Sequence, residues 1–333
     1  MNKRILLPLL PLFAVSLSSC ANVNVHHSID EYILQMDYKK DFKILQLNDI
    51  HIGDKDNRKL HYDFIDLTIK DANPDLIVLD GDIFTFASRY TAEELFKFID
   101  SHKIPWTATF GNHDEQCYFS IDWLTGYLNN FGSYCLFKDI QDDDVFGNAN
   151  FAINLMDGGE IFETIVIMDS NRYYFGSYFG YDYIKESQIE WYENVINYLT
   201  DVKGDLVHSL AFFHIPFAEF ETAWTAYKNG EAGVEYIIGE KGEKVSCPKI
   251  NSGLYNKMFE LGSTDGVFCA HDHLNDYAIN YNGIVLSYGV NSTDRIYYSE
   301  SMMGGQAITL HDDNSFSISQ IFHTYDEVVK SNE

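Results

Sequence analysis

Short polar clusters follow apolar runs at several points along the chain, and this repeated arrangement constrains the fold more than any other feature. The apolar runs are typical of buried strands and cover residues 44–47, 76–79, 106–110, 210–213 and 267–270. The polar clusters are Asp49-Ile50-His51, Gly81-Asp82, Gly111-Asn112-His113-Asp114, His214, and His271-Asp272-His273 with Asp276 beyond. Ligand sites gather at the carboxyl ends of strands in open α/β sheets, so we expect these clusters to converge.

The rest of the chain alternates between strand-like runs and amphipathic segments until about residue 267. Helical spacing of apolar residues predicts helices over residues 60–71, 92–102, 120–131 and 185–199. Strands with little helix are predicted afterwards, over residues 283–288, 307–310 and 316–322. This order favours an α/β fold in which two packed sheets are flanked by helices, within one catalytic domain.

Two segments are predicted to be long loops over the mouth of the site. Residues 171–183 are rich in tyrosine and phenylalanine, and residues 217–252 contain four glycines. Long ordered loops in a compact domain are often functional. For the tyrosine-rich segment two interpretations stay open, packing against the following helix or a rim that faces the substrate.

The first twenty residues have the pattern of a targeting segment. Lys3 and Arg4 precede an apolar stretch over residues 5–17, which is too short to span a bilayer. The following Leu17-Ser18-Ser19-Cys20 looks like a bacterial lipobox, which implies a lipid on Cys20 and a place on the extracytoplasmic face of the cell membrane. A cleaved, secreted form is the alternative. We expect a tether over residues 21–40, a catalytic domain over 41–326 and a tail over 327–333.

Charge and cysteine content restrict the possible partners. The formal net charge of -27 argues against general binding to nucleic acid, which attracts basic surfaces. The sequence does not indicate whether the chain binds other proteins. The four cysteines after Cys20 lack the CxxC spacing of a zinc site. A disulfide between Cys117 and Cys135 stays open, and Cys269 is expected to be a buried thiol.

The polar clusters contain residue types that suit a pair of metal ions. Residues two apart on a strand face the same side, so Asp49 and His51 can point together. A carboxylate can bridge two cations, and Asp82 follows a glycine that permits a sharp turn. Imidazole nitrogens mixed with oxygen ligands suit iron, zinc or manganese better than calcium or magnesium.

The order of these clusters resembles the calcineurin-like metallophosphoesterase superfamily over residues 42–325. The resemblance implies a four-layer αββα sandwich of two mixed sheets and hydrolysis of phosphate esters by a hydroxide that two metal ions activate. It places one ion on Asp49, His51, Asp82 and His273, and the other on Asp82, Asn112, His214 and His271. His113 would contact the phosphate or protonate the leaving alcohol. Asp272 and Asp276 are expected either to orient imidazoles or to be solvated, and Asp114 or Glu115 could hold His113.

Within the superfamily, four short motifs look most like the purple-acid-phosphatase-related proteins of the Dcr2 and plant type 29 group. These are Phe213-His214-Ile215-Pro216 with Glu219 and Phe220, then Asp169-Ser170, and the later Gln188 and Trp191. The chain departs from the pattern of the superfamily at two positions. Purple acid phosphatases proper have a tyrosine at the position of Thr85, so an iron–tyrosinate colour should be absent. The usual glycine before His-x-His is Ala270.

We therefore expect a phosphatase or phosphodiesterase that acts outside the cytoplasm, with the choice between monoesters and diesters open. One alternative is a surface-binding lipoprotein that keeps the fold without turnover. Another is a nuclease or cyclic-nucleotide phosphodiesterase, and the acidity of the chain disfavours the nuclease.

Overall fold

Two mixed β-sheets lie face to face in the computed structural model, which describes residues 27–132 and 134–331. The strands are β1 Ile33–Asp37, β2 Phe42–Leu47, β3 Leu76–Asp80, β4 Trp106–Thr109, β5 Phe151–Asp157, β6 Glu160–Ile167, β7 Tyr173–Phe175, β8 Phe179–Tyr181, β9 Ser209–Phe212, β10 Val234–Ile238, β11 Thr264–Cys269, β12 Ala278–Tyr281, β13 Ile284–Tyr288, β14 Gly304–Leu310 and β15 Phe316–Phe322. The α-helices are α1 Arg58–Ala72, α2 Arg89–Ser101, α3 Ile121–Asn129, α4 Glu186–Lys203, α5 Glu219–Asn229, α6 Leu254–Leu261 and α7 Tyr325–Ser331.

The strand order places most of the predicted site strands inside the two sheets, and β4 alone of them lies at a sheet edge. One sheet has the order β15-β14-β2-β3-β4, and the other has the order β1-β5-β6-β9-β11-β13-β12-β10. Strands β2, β3 and β4 are mutually parallel, as are β6, β9, β11 and β13. The site strands therefore end at the same edge of their sheets, because parallel neighbours share a direction.

Apolar side chains explain why the central strands lie in the interior. All five residues of β3 are buried, as expected for a parallel strand that is covered on both faces. The rings of Phe212 and Phe268 stack 4.8 Å apart and belong to the same buried cluster as Ile44 and Ile308 of the other sheet. This cluster joins the two sheets.

Helices cover the outer faces and complete four layers. Helix α1 contacts β2, β14 and β15, whereas α5 contacts β12 and α6 contacts β11. The predicted α/β architecture with two mixed sheets and flanking helices is confirmed. The four predicted helices correspond to α1, α2, α3 and α4.

Four expectations from the sequence differ from the structure. The expected tether, residues 21–40, includes strand β1, which pairs in parallel with β5; its short, half-exposed edge position leaves little periodic signal. Residues 217–252 contain α5 and β10, because Phe220, Ala223 and Ala226 bury one helical face. Residues 171–183 contain the β7–β8 hairpin. The expected tail includes most of α7, where Val328 packs in a buried cluster.

The leader, the possibility of a membrane-spanning helix and the state of the cysteines are the remaining predictions from the sequence. Cys20 and the expected leader, residues 1–20, lie outside the described residues. Across the described ranges, we find no helix with both the length and the apolarity to cross a membrane. Cys117 and Cys135 are free thiols here, and Cys269 is buried as predicted.

Candidate metal centre

The structure brings the seven predicted metal ligands together at the carboxyl edge of both sheets. Asp49 and His51 follow β2, Asp82 follows β3, Asn112 follows β4, His214 follows β9, and His271 and His273 follow β11. All seven side chains are buried. Asn112 lies beside Asp82, because the backbone N–H of the next residue, His113, donates to Asp82 Oδ1 at 2.7 Å.

The ligand atoms form two neighbouring groups. In the first group, Asp49, His51 and His273 have their ligand atoms within 4.8 Å of one another. His273 Nε2 lies 3.2 Å from His51 Nε2 and 3.3 Å from Asp49 Oδ1. In the second group, the ligand atoms of Asp82, His214 and His271 also lie within 4.8 Å of one another.

Asp82 lies between the two groups. Its Oδ2 atom is 3.1 Å from His214 Nε2 and 3.8 Å from His51 Nε2. One carboxylate is therefore close to nitrogen ligands of both groups. This is the position that the sequence predicts for a ligand shared by two ions.

Hydrogen bonds on the outer side of three imidazoles fix which nitrogen faces the centre. His214 Nδ1 donates to the Asp80 carbonyl at 2.9 Å, and His273 Nδ1 donates to the Tyr297 carbonyl at 2.6 Å. His51 Nδ1 lies 2.8 Å from Thr85 Oγ1. A carbonyl only accepts, so the first two rings each carry a proton on Nδ1 and turn Nε2 toward the centre.

Buried polar atoms in the centre lack hydrogen-bond partners within the described part of the chain. These atoms are Asp49 Oδ1, Asn112 Oδ1 and both ring nitrogens of His271. Buried polar groups are normally satisfied, and an unsatisfied one requires an explanation. Two cations would supply the absent partners, and a mixed carboxylate, amide and imidazole set fits transition metals.

Burial and charge set the protonation of the histidines in different directions. Burial lowers the pKa of both His51 and His271 to about 3, so these rings are neutral and ready to bind a cation. Burial also lowers the pKa of His214, but the Asp82 and Asp49 carboxylates and the Asp80 carbonyl outweigh it and raise that pKa to about 10. His214 therefore carries a second proton, on Nε2 beside Asp82 Oδ2, and a metal ion must displace this proton.

The backbone at the centre is strained. Asp49, His51, Asp82 and His271 all have positive φ, between 47° and 78°. Left-handed backbone is uncommon outside glycine and clusters at functional sites. Gly81 has φ 78°, and a Cβ atom there would lie 2.5 Å from His214 Nδ1, so glycine is required for the close approach of the two sheets.

His113, the predicted proton donor, lies at the wall of the centre. Its ring is 4.9 Å from the ring of His51, edge to face. Its Nδ1 atom is 2.9 Å from Gln116 Oε1, so Gln116 orients the ring and neither Asp114 nor Glu115 does. Asp114 instead accepts from the backbone of Gly111 and Phe84, and Glu115 pairs with Arg172.

Asp272 and Asp276 do not orient the imidazoles, and both are buried rather than solvated. Asp272 Oδ2 accepts from Tyr288 Oη at 2.6 Å and from Ser246 N at 3.0 Å. Asp276 Oδ1 accepts from Glu240 N at 2.6 Å. Both carboxylates therefore hold the backbone of residues 240–246 behind the centre. The imidazoles are oriented instead by the carbonyl groups of Asp80 and Tyr297 and by the hydroxyl of Thr85.

Three tyrosines border the centre, and the sequence predicted none of their individual roles. Tyr297 stacks on His273 at 4.2 Å, and Tyr181 meets His271 edge to face at 4.4 Å. Tyr173 Oη accepts from Asn112 Nδ2 at 3.0 Å, which leaves the amide oxygen of Asn112 free to bind a cation. Tyr173 and Tyr181 belong to residues 171–183, for which a rim that faces the substrate was one of two open interpretations. The high content of tyrosine and phenylalanine in this segment was the signal in the sequence.

Replacement of Thr85 by valine should weaken metal binding. The change removes the hydroxyl that orients His51, and loss of such a partner typically costs about 10- to 100-fold in metal affinity. Titration of chelator-treated protein with Mn²⁺ would measure this loss. Thr107→Val is a matched control, because the Thr107 hydroxyl is buried on β4 and has no hydrogen-bond partner among residues 27–132 and 134–331. Equal affinities in the two variants would show that His51 does not depend on Thr85.

Comparison with known proteins agrees with this geometry. A family model described as calcineurin-like phosphoesterase matches residues 42–275. A dimetal phosphatase from Danio rerio has a similar structure, with a TM-score of 0.55 and 12% identity, over 85% of this chain and 96% of that chain. At this identity the similarity shows the fold alone.

Two relatives are similar in sequence. The chain is 29% identical to "Probable inactive purple acid phosphatase 14" of Arabidopsis thaliana, over 74% of this chain and 69% of the plant protein. It is 31% identical to "Phosphatase DCR2" of Saccharomyces cerevisiae, over 74% of this chain and 47% of the yeast protein. The chain thus spans about half of the yeast protein, and the plant relative is named as inactive.

Proposed function

The chain belongs to the calcineurin-like phosphoesterase family, and we propose that it hydrolyses phosphate esters at the two ligand groups around Asp82. One observation carries the proposal. Buried ligand atoms converge from both sheets, three of their imidazoles are oriented from behind, and four of the ligand atoms, on Asp49, Asn112 and His271, lack partners among the described residues. A buried arrangement of this kind is costly unless cations complete it.

Each residue has a defined role in the proposed reaction. Two bound manganese, zinc or iron ions would neutralise charge on the phosphoryl oxygens and lower the pKa of water. Asp49, His51, Asp82 and His273 would hold one ion, and Asp82, Asn112, His214 and His271 the other. His113, held by Gln116, delivers a proton to the oxygen of the leaving alcohol.

We propose further that the protein acts on the extracytoplasmic face of the cell membrane. The lipobox-like sequence that ends at Cys20 supports this location, with a lipid on that cysteine as the anchor. The formal charge of -27 would repel an anionic membrane surface, so the acyl chains rather than the domain would hold the protein there.

The proposal is tested by metal analysis combined with an ester screen. Chelator-treated protein is reloaded with manganese, zinc or iron and offered 4-nitrophenyl phosphate and bis(4-nitrophenyl) phosphate. We expect two ions per chain and turnover of at least one ester. Two bound ions without turnover of any ester would favour the surface-binding alternative. Failure to bind any ion would overturn the ligand assignment itself.

A further inference from the structure

The β7–β8 hairpin, residues 173–181, contacts the metal centre from both of its strands. Tyr173 Oη of β7 accepts from Asn112 Nδ2 at 3.0 Å and from Gln116 Nε2 at 3.4 Å. Tyr181 of β8 lies edge to face on His271, with ring centroids 4.4 Å apart. The hairpin thus contacts two proposed ligands of the same ion, as well as the residue that orients His113.

Buried polar groups fix the base of this hairpin. Asn171 Nδ2 donates to the Tyr183 carbonyl and to Gln188 Oε1, each at 2.9 Å, and so joins the two ends of the segment. Gln188 is fully buried and also donates to Asp169 and Asn150. The backbone N–H of Asp182 donates to the Arg172 carbonyl at 3.0 Å. Asp169 and Gln188, singled out in the sequence, therefore position the hairpin.

The tip of the hairpin presents two aromatic rings to solvent. Phe175 is 79% exposed and Phe179 is 67% exposed. Phe179 lies parallel to Tyr173, with an interplanar angle of 16° and ring centroids 5.8 Å apart. Phe175 lies 5.3 Å from Phe179. The exposed phenylalanine pair therefore packs next to Tyr173, whose hydroxyl contacts Asn112 and Gln116.

We propose that the hairpin recognises the leaving group of the substrate, and that this group is flat and uncharged, as in an aryl phosphate ester. The inference rests on the proposed phosphoesterase function. Ring faces attract flat apolar groups by offset stacking, and Phe175 and Phe179 offer no charge to a polar alcohol. The strongly acidic chain also disfavours leaving groups that carry further phosphates.

The test compares two phosphate monoesters, phenyl phosphate and methyl phosphate, in the manganese-loaded protein. Phe179→Ala should lower kcat/KM for phenyl phosphate roughly 10-fold and change the value for methyl phosphate less than about 2-fold. The ratio of variant to wild type cancels the different intrinsic reactivities of the esters. Phe259→Ala is the matched control, because Phe259 is 55% exposed on α6, and it should change neither value.

A binding measurement separates this inference from the proposed function. Phenylphosphonate and methylphosphonate cannot be hydrolysed, and calorimetry in the presence of Mn²⁺ reports their affinities directly. Tighter binding of phenylphosphonate that Phe179→Ala abolishes would support the hairpin's role even if no ester turned over, in which case the proposed function alone would fail. Equal affinities in the wild-type protein, or equal losses for both esters in Phe179→Ala, would overturn the inference.

Discussion

Asp82→Asn should lower the hydrolysis of a phosphate ester at least about 1000-fold. The carboxylate lies between both ligand groups, and its loss removes several kcal/mol of charge stabilisation, where each 1.4 kcal/mol corresponds to a factor of ten. Asparagine is the informative replacement because it tolerates the left-handed backbone at this position, where φ is 47°. Steady-state kinetics with added Mn²⁺ would measure the effect.

Three further measurements identify the cause of this loss. The bound metal should fall from two ions per chain to one or none, whereas circular dichroism should stay unchanged. In chelator the unfolding temperature should decrease: burial alone would raise the pKa of Asp82, but His214 holds that pKa well below its usual value, and asparagine removes this buried ion pair. Asp201→Asn, at an exposed position on α4, should keep full activity. Retained hydrolysis in Asp82→Asn would show that the centre is assigned wrongly.

The affinity for Mn²⁺ should increase about 10-fold for each pH unit between roughly pH 7.5 and 8.5. Metal ions bind neutral imidazole, and the metal-free protein holds His214 with a pKa of about 10, so binding must release its proton. The affinity rises with pH because the pKa of His214 is raised. At every pH below about 10 a proton competes with the metal ion for this imidazole. A histidine with an ordinary pKa near 6.5 would stop competing above about pH 7.5.

Calorimetry in two buffers with different heats of ionisation would count the released protons. We expect at least about one proton per chain at pH 8, because His214 must lose its proton and Asp49, against the effect of burial, also raises the pKa of His273. His208→Gln is the control, because His208 pairs with Asp265 outside the centre and should leave the slope unchanged. A metal affinity that becomes constant above pH 7.5 would contradict the assignment of a proton to His214 in the metal-free protein.

The convergence of the polar clusters was predictable because each cluster follows a run of apolar residues that is typical of a buried strand. Parallel strands share a direction, so the ends of β2, β3 and β4 must meet at one edge, and the clusters after β9 and β11 complete the centre. The helices were predictable for a similar reason, since the apolar spacing of α2 and α4 is strong. Local pattern and strand direction were sufficient for both, whereas the assignment of these residues to two metal ions rests on the family resemblance.

The groups that orient the ligands were not predictable. His273 is held by the carbonyl of Tyr297 and His214 by the carbonyl of Asp80, and backbone carbonyls leave no trace in a sequence. Proximity along the chain pointed to Asp272 as an orienting group, but that carboxylate faces Tyr288. Thr85 was visible only as a departure from a family pattern, and its contact with His51 depends on three-dimensional placement. Strand β1 was missed because a short, half-exposed edge strand resembles a polar linker.

The left-handed backbone at four metal ligands places function and thermal stability in opposition. Each such residue costs of order 1–3 kcal/mol, and asparagine or glycine at the same position would remove part of that cost. A laboratory selection for heat resistance alone, performed in the presence of a chelator, should therefore accumulate substitutions early at His51 and His271, the two of these ligands that are buried as neutral rings. The same selection with metal supplied and hydrolysis required should leave both positions untouched.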